Sequence, residues 1–238
     1  MRNLASILDT LESFYGRQAV DWPTDPCQFL IWWHCGYPPS EERCNRGWEA
    51  LTAAVGGSAA ELAAARSATL ARALKAGGMV AELRAARIKS IARSVMDDYA
   101  GDVRAALAAL PEGEARRLLE KFPGIGTPGA DRILLFGRLA PVAAVPSASP
   151  HVLVRIASGP EGAKYPQIYR QAQQLIDTQL PATFAARTRA YLLLRRHARE
   201  LCKRRNPGCG ECPLSASCAY LARPAQKVSP RRRASRAQ

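Results

Sequence analysis

Cys202-Lys-Arg-Arg-Asn-Pro-Gly-Cys209-Gly-Glu-Cys212-Pro-Leu-Ser-Ala-Ser-Cys218 places four of the chain's seven cysteines within seventeen residues, separated by six, two and five positions. Four thiolates this close in sequence are what one tetrahedral metal site or one [4Fe-4S] cube requires. A loop this small buries too little apolar surface to order itself, so ligand bonds must do so. Pro207, Gly208, Gly210 and Pro213 supply the tight turns that draw the sulfurs together. Spacing alone leaves zinc and iron–sulfur both open. Zinc knuckles commonly come as paired Cys-x2-4-Cys, and only Cys209 and Cys212 form such a pair. Cys27, Cys35 and Cys44 lack ligand spacing and read as small buried apolar residues.

Around this loop lies a chain of 238 residues, 47% apolar, enough for one large or two modest domains. No run of eighteen apolar residues predicts a membrane span, and residues 1–10 do not read as a secretory signal. An odd cysteine count with four clustered points to a reducing cytosol and a metal centre rather than disulfides. The net charge is +14, of which Lys227, Arg231, Arg232, Arg233 and Arg236 contribute five, leaving nine on the rest. That excess suggests a polyanionic partner, most simply nucleic acid, although solvated basic helix faces give the same count.

Helical periodicity dominates and strand alternation is absent, so the chain reads as all-α. Leu4, Ile7, Leu8 and Leu11 form the apolar face of a first helix. After a linker at 21–25, Asp25-Pro26 opens an apolar helix that Gly36 and Pro38-Pro39 end. Ser40 and Ser58 are predicted N-caps. The alanine-rich 59–76 segment reads as helical up to Gly77-Gly78. Val80, Leu83, Ile88, Ile91 and Val95 give the stripe of a long helix, followed by short helices near 103–110 and 112–122. An irregular connector spans 141–150, and helices over 152–157, 165–180 and 182–201 complete the series. The polar, basic composition from Pro224 onward predicts disorder.

Phe122-Pro-Gly-Ile-Gly-Thr-Pro-Gly-Ala130 joins two of these helices. Gly124 and Gly126 permit backbone conformations that side chains block, and Ile125 can pin the turn to the core. Thr127 is predicted to cap the next helix, with Pro128 in its first turn. Backbone N–H groups here make a seat for a phosphate without reading sequence, or the stretch is an ordinary helix connection.

The Phe-Pro-Gly-Ile-Gly stretch resembles the helix-hairpin-helix of endonuclease III and the adenine DNA glycosylases. The Cys-x6-Cys-x2-Cys-x5-Cys pattern resembles the [4Fe-4S] loop of the same family, and the two motifs are spaced as in that family. The resemblance runs from Asp25 to Tyr220 and favours iron–sulfur over zinc at Cys202, Cys209, Cys212 and Cys218. It implies an N-terminal helix (1–22) joining the cluster domain, a six-helix domain with the hairpin (23–140), an iron–sulfur domain (141–222) and a basic tail (223–238). It further implies a monomer that binds double-stranded DNA through Gly124, Ile125, Gly126, Thr127 and the loop cations Lys203, Arg204 and Arg205. Tyr37, at a helix end, is the candidate wedge filling the space of a flipped base. The expected location is cytoplasmic, nucleoid-associated in a bacterium.

The family's catalytic pair is missing. Its lysine position matches Pro128, which has no primary amine, and no lysine occurs between Lys121 and Lys164. Its aspartate position matches Pro146, and no Asp or Glu occurs from Ile133 to Pro160. A Schiff-base lyase step is therefore not expected. Two readings remain. One is a monofunctional DNA N-glycosylase, a base-excision hydrolase using another group, with His34, Asp131 and His151 as candidates; the family resemblance tips toward it. The other is a catalytically silent DNA- or lesion-binding protein, which needs only the hairpin, cations and shape.

Overall fold

The structure, a computed structural model, describes residues 3–159 and 164–222. The basic tail expected at 223–238 lies outside the described residues.

The helices run α1 (Leu4–Tyr15), α2 (Pro26–Trp33), α3 (Glu41–Val55), α4 (Ala59–Ala64), α5 (Ser67–Leu74), α6 (Ala81–Tyr99), α7 (Val103–Ala108), α8 (Glu112–Leu119), α9 (Thr127–Phe136), α10 (His151–Ser158), α11 (Tyr165–Gln179), α12 (Phe184–Glu200) and α13 (Ala219–Ala222). The all-α expectation holds: among the described residues there is no strand beyond an isolated bridge between Tyr37 and Gly78. Short-range chemistry sets many of the starts. The Asp25 carboxylate accepts from Gln28 N ahead of Pro26, and Ser40 caps α3 by accepting from Arg43 N. Ser58 and Glu61 close a capping box on α4.

Three sequence expectations are corrected. The alanine-rich segment is two helices, broken at Ala65 and Arg66, because both α4 and α5 pack on α6. One straight helix of that length would run about 27 Å and could not wrap its neighbour. Val80 and Leu83 are 46% and 50% exposed rather than part of the buried stripe, Val80 lying just before the helix, and the stripe passes through Ala81, Arg84, Ala85, Ile88 and Ile91. Thr127 is not the cap: Gly126 takes that position, and the Thr127 hydroxyl donates to Glu120 Oε1 at 2.7 Å.

Two buried clusters organise the chain. The first gathers α2 to α9 with Trp22, Phe29, Trp32, Leu51, Ile88, Leu119, Ile125 and Leu134. The second gathers Leu4, Ile7, Leu8 and Leu11 of α1 with Val152, Tyr169, Ile176, Leu193 and Leu214. Helix α12 serves both: Tyr191 and Leu192 enter the first, Ala190, Leu193 and Leu194 the second. Full burial of one Leu or Ile stabilises by roughly 2 kcal/mol, so both cores are substantial. No helix among the described residues is long and apolar enough to cross a membrane.

Candidate nucleic-acid interface and four-cysteine loop

The hairpin lies between α8 and α9. Phe122 and Ile125 are buried, and Ile125 N donates to Phe122 O at 3.2 Å, which closes the turn. Gly124 has φ +70°, a left-handed conformation that favours glycine. His34, the C-cap of α2, lies beneath it. Its Nε2 is 2.7 Å from Pro123 O, and a Cβ on Gly124 would stand 3.1 Å from its Cε1. Burial lowers the His34 pKa, against the pull of that carbonyl. Gly129 and Ala130 N–H donate to Gly126 O at 2.8 and 3.0 Å, and Pro128 has no N–H, so of the first turn of α9 it is the Thr127 N–H that helix geometry leaves without an intrahelical acceptor and able to meet an anion. Pro128 occupies that same first turn.

Tyr37 sits on a ridge. Its N–H donates to Gly77 O at 3.0 Å, and its carbonyl accepts from Met79 N at 3.1 Å. Tyr37, Met79 and Val80 are 44%, 60% and 46% exposed, an apolar edge open to solvent. Beneath them Arg84 is buried, and its guanidinium donates to four carbonyls, those of Cys35, Leu74, Gly78 and Met79. One side chain thus reinforces two loops that are otherwise joined by the isolated Tyr37–Gly78 bridge.

Between the two cores lies a cleft of about 650 Å³, lined by α3, the connector before α10, α12 and the cysteine loop. It brings together Pro146, His151, Lys203 and Arg204 with Trp33, Ser149 and Tyr191. Neither the hairpin residues nor Tyr37, His34 or Asp131 line it. Five of its lining side chains are Arg or Lys against two glutamates, Glu41 and Glu42. Glu41 is the hub. Its Oε1 accepts from Arg132 at 2.8 Å, and its Oε2 accepts from Arg195 Nε at 2.7 Å, from Arg195 Nη2 and from Arg199 at 3.5 Å. Arg132 lies 3.8 Å from the Trp22 ring centre, with Phe29, Trp32 and Tyr191 around it, so cation–π contact adds to the ion pair. Local spacing gave no sign of this group, because Glu41 meets partners 91 and 154 positions away.

Asp131 is fully buried outside the cleft. Oδ1 accepts from Arg116 at 2.7 Å, and Oδ2 accepts from the Tyr169 hydroxyl at 3.0 Å and Gln173 at 2.8 Å. Burial raises its carboxyl pKa, opposed by Arg116 and Tyr169. It bridges α9 to α8 and α11. His151 is buried at the cleft wall with Nε2 3.0 Å from Cys202 O.

The four cysteines follow α12 directly. Cys202 N donates to His197 O at 2.8 Å, and buried Leu214 anchors the loop in the second core. Arg155 of α10 donates to Lys203 O at 2.9 Å and Arg204 O at 3.1 Å, which leaves the cationic side chains of Lys203, Arg204 and Arg205 exposed. All four thiols line one small pocket with His197, Leu201 and Leu214. Among the described residues no three His, Cys, Asp or Glu side chains form a site for a single metal ion. The donor set at the pocket is sulfur, the choice of soft metals. Burial pushes the Cys202 thiol up to about 11, Arg155 opposes this, and Cys218 and Cys212 push further. Four sulfur donors around one pocket, able to lose their protons on binding metal, are a donor set that fits an iron–sulfur group.

Several solved structures share the fold. A thermostable thymine-DNA glycosylase is 20% identical with TM-score 0.72, over 92% of this chain and 96% of its own. Endonuclease III in a non-covalent DNA complex is 17% identical with TM-score 0.70, over 92% and 95%. The H. pylori 3-methyladenine DNA glycosylase MagIII, bound to 1,N6-ethenoadenine, is 19% identical with TM-score 0.57, over 82% and 93%. No protein-family model and no curated protein matches the sequence. At these identities it is architecture that is held in common: the chain has the all-helical fold of the endonuclease III-like, helix-hairpin-helix DNA glycosylases.

Proposed function

We propose that the protein is a DNA-repair protein that grips duplex DNA and holds a nucleotide in its cleft without excising the base by a lysine–aspartate route. The hairpin at Gly124, Ile125, Gly126 and Thr127 would take one stretch of backbone, and Lys203, Arg204 and Arg205 another. The Tyr37, Met79 and Val80 ridge would enter the space left by a displaced base. Cys202, Cys209, Cys212 and Cys218 would hold a [4Fe-4S] cluster, whose iron–thiolate bonds would order the loop that carries those cations.

The observation that carries the silent reading is the state of the cleft's carboxylates. Glycosidic cleavage develops positive charge on the sugar, which an unneutralised carboxylate stabilises. Glu41 is saturated by Arg132, Arg195 and Arg199, Glu42 is paired with Arg199 at 3.1 Å, and basic side chains outnumber acidic ones on the lining. Of the candidates for a replacement group, Asp131 and His34 lie outside the cleft, and His151 is buried against Cys202 O. The monofunctional glycosylase reading keeps one specific support: a 650 Å³ cleft is within the range of small-molecule sites, and Trp33 and Tyr191 in its wall could flank a base.

Incubation of the iron-loaded protein with duplexes carrying single uracil, oxidised, alkylated or mismatched bases separates the two. The expected result is salt-sensitive binding with no alkali-revealed cleavage on any of them. Base release on one substrate establishes the glycosylase instead. In either case borohydride should trap no adduct, because Pro128 cannot form an imine.

A further inference from the structure

His197 lies in the last turn of α12 and is 1% exposed. Both of its ring nitrogens have partners. Nδ1 is 3.0 Å from the hydroxyl of Tyr15, the last residue of α1, and Nε2 is 3.8 Å from Cys212 Sγ. Its backbone carbonyl accepts from Cys202 N at 2.8 Å, so one residue supports two of the four cysteines. These contacts decide where the ring hydrogen sits when the loop holds metal. A metal-bound sulfur carries no proton and only accepts. In the neutral imidazole Nε2 then carries the hydrogen, Nδ1 is bare, and the Tyr15 O–H donates to it.

We propose that His197 donates a hydrogen bond to the cluster-bound sulfur of Cys212, held in that tautomer by Tyr15, and so sets the reduction potential of the [4Fe-4S] centre. The inference rests on the iron–sulfur reading above. An N–H donor draws negative charge from the sulfur and favours the reduced cluster, which carries one more electron. Helix α1 thereby acquires an electronic role beside its packing role. The residue is a positioning and tuning group that does not line the cleft.

The test uses the full chain reconstituted with iron and sulfide, as wild type, His197→Phe and Tyr15→Phe. Iron content and the visible charge-transfer band report loading, and spectroelectrochemical titration reports the potential. At full loading, His197→Phe is expected to be harder to reduce, with the reduced-to-oxidised ratio at a fixed poise falling about tenfold, the scale of one hydrogen bond to a charged group. Tyr15→Phe removes only a hydroxyl and should shift the ratio the same way by less. Unchanged potentials in both variants at full iron content overturn the proposal. Should His197→Phe load poorly, Tyr15→Phe decides alone, a shift supporting and no shift overturning. Zinc or no metal in the wild type removes the iron–sulfur reading itself, and that outcome is seen before any variant is compared.

Discussion

Asp131 has no exposed surface, and its two oxygens accept three hydrogen bonds from Arg116, Tyr169 and Gln173. Asp131→Ala should cost about 3 kcal/mol in urea unfolding, the usual scale for removing one partner of a buried ion pair. Any loss of DNA binding should then follow the folded fraction. His34 is buried, and its pKa is held below the usual 6.5. A depressed histidine pKa means that the unfolded chain takes up the proton first as acid is added. Its contribution is therefore complete above pH 6.5 and declines as pH falls from there through the lowered folded value. Unfolding midpoints measured down this range should fall, and His34→Gln, which cannot titrate, should flatten the fall. Both residues were visible in the sequence as chemically able groups. Their burial was not, because it depends on partners supplied by other helices.

At the scale of elements, the caps at Asp25, Ser40 and Ser58 were legible because each acts within three residues of itself. The break at Ala65 was not, since nothing in an alanine-rich stretch signals a stop and α6 imposes it from outside. The hairpin was legible through its glycines, and Gly124 gives it a test. Gly124→Ala must adopt φ +70° and press on His34, so duplex affinity should fall about tenfold, a cost of one to two kcal/mol for a strained residue. Cluster absorbance should stay unchanged, because the hairpin and the thiol pocket share no lining residue. For the cysteine loop, replacing Lys203 and Arg204 by glutamine should reduce the slope of log affinity against log salt by about 2, one unit per lost phosphate contact. Measured on duplexes of different sequence, the weakening should be uniform.

In the whole molecule, all four tryptophans, Trp22, Trp32, Trp33 and Trp48, belong to or pack on the first core, while the cysteine loop is anchored in the second. Removing the metal by oxidation and chelation should therefore leave tryptophan emission nearly unchanged while duplex binding is lost. A simultaneous red shift in emission would show instead that α12 transmits the disorder from one core to the other. The Glu41 cluster belongs to this scale too, since it joins α3, α9 and α12 across the cleft. Spacing rules could not reveal it, because no motif relates its members. Three guanidiniums that share a carboxylate would, in its absence, repel one another around a hole the size of a small oxyanion. Chemical rescue follows: Glu41→Ala should melt early in chloride and recover in acetate or sulfate, so the variant's heat resistance would depend on the choice of buffer salt.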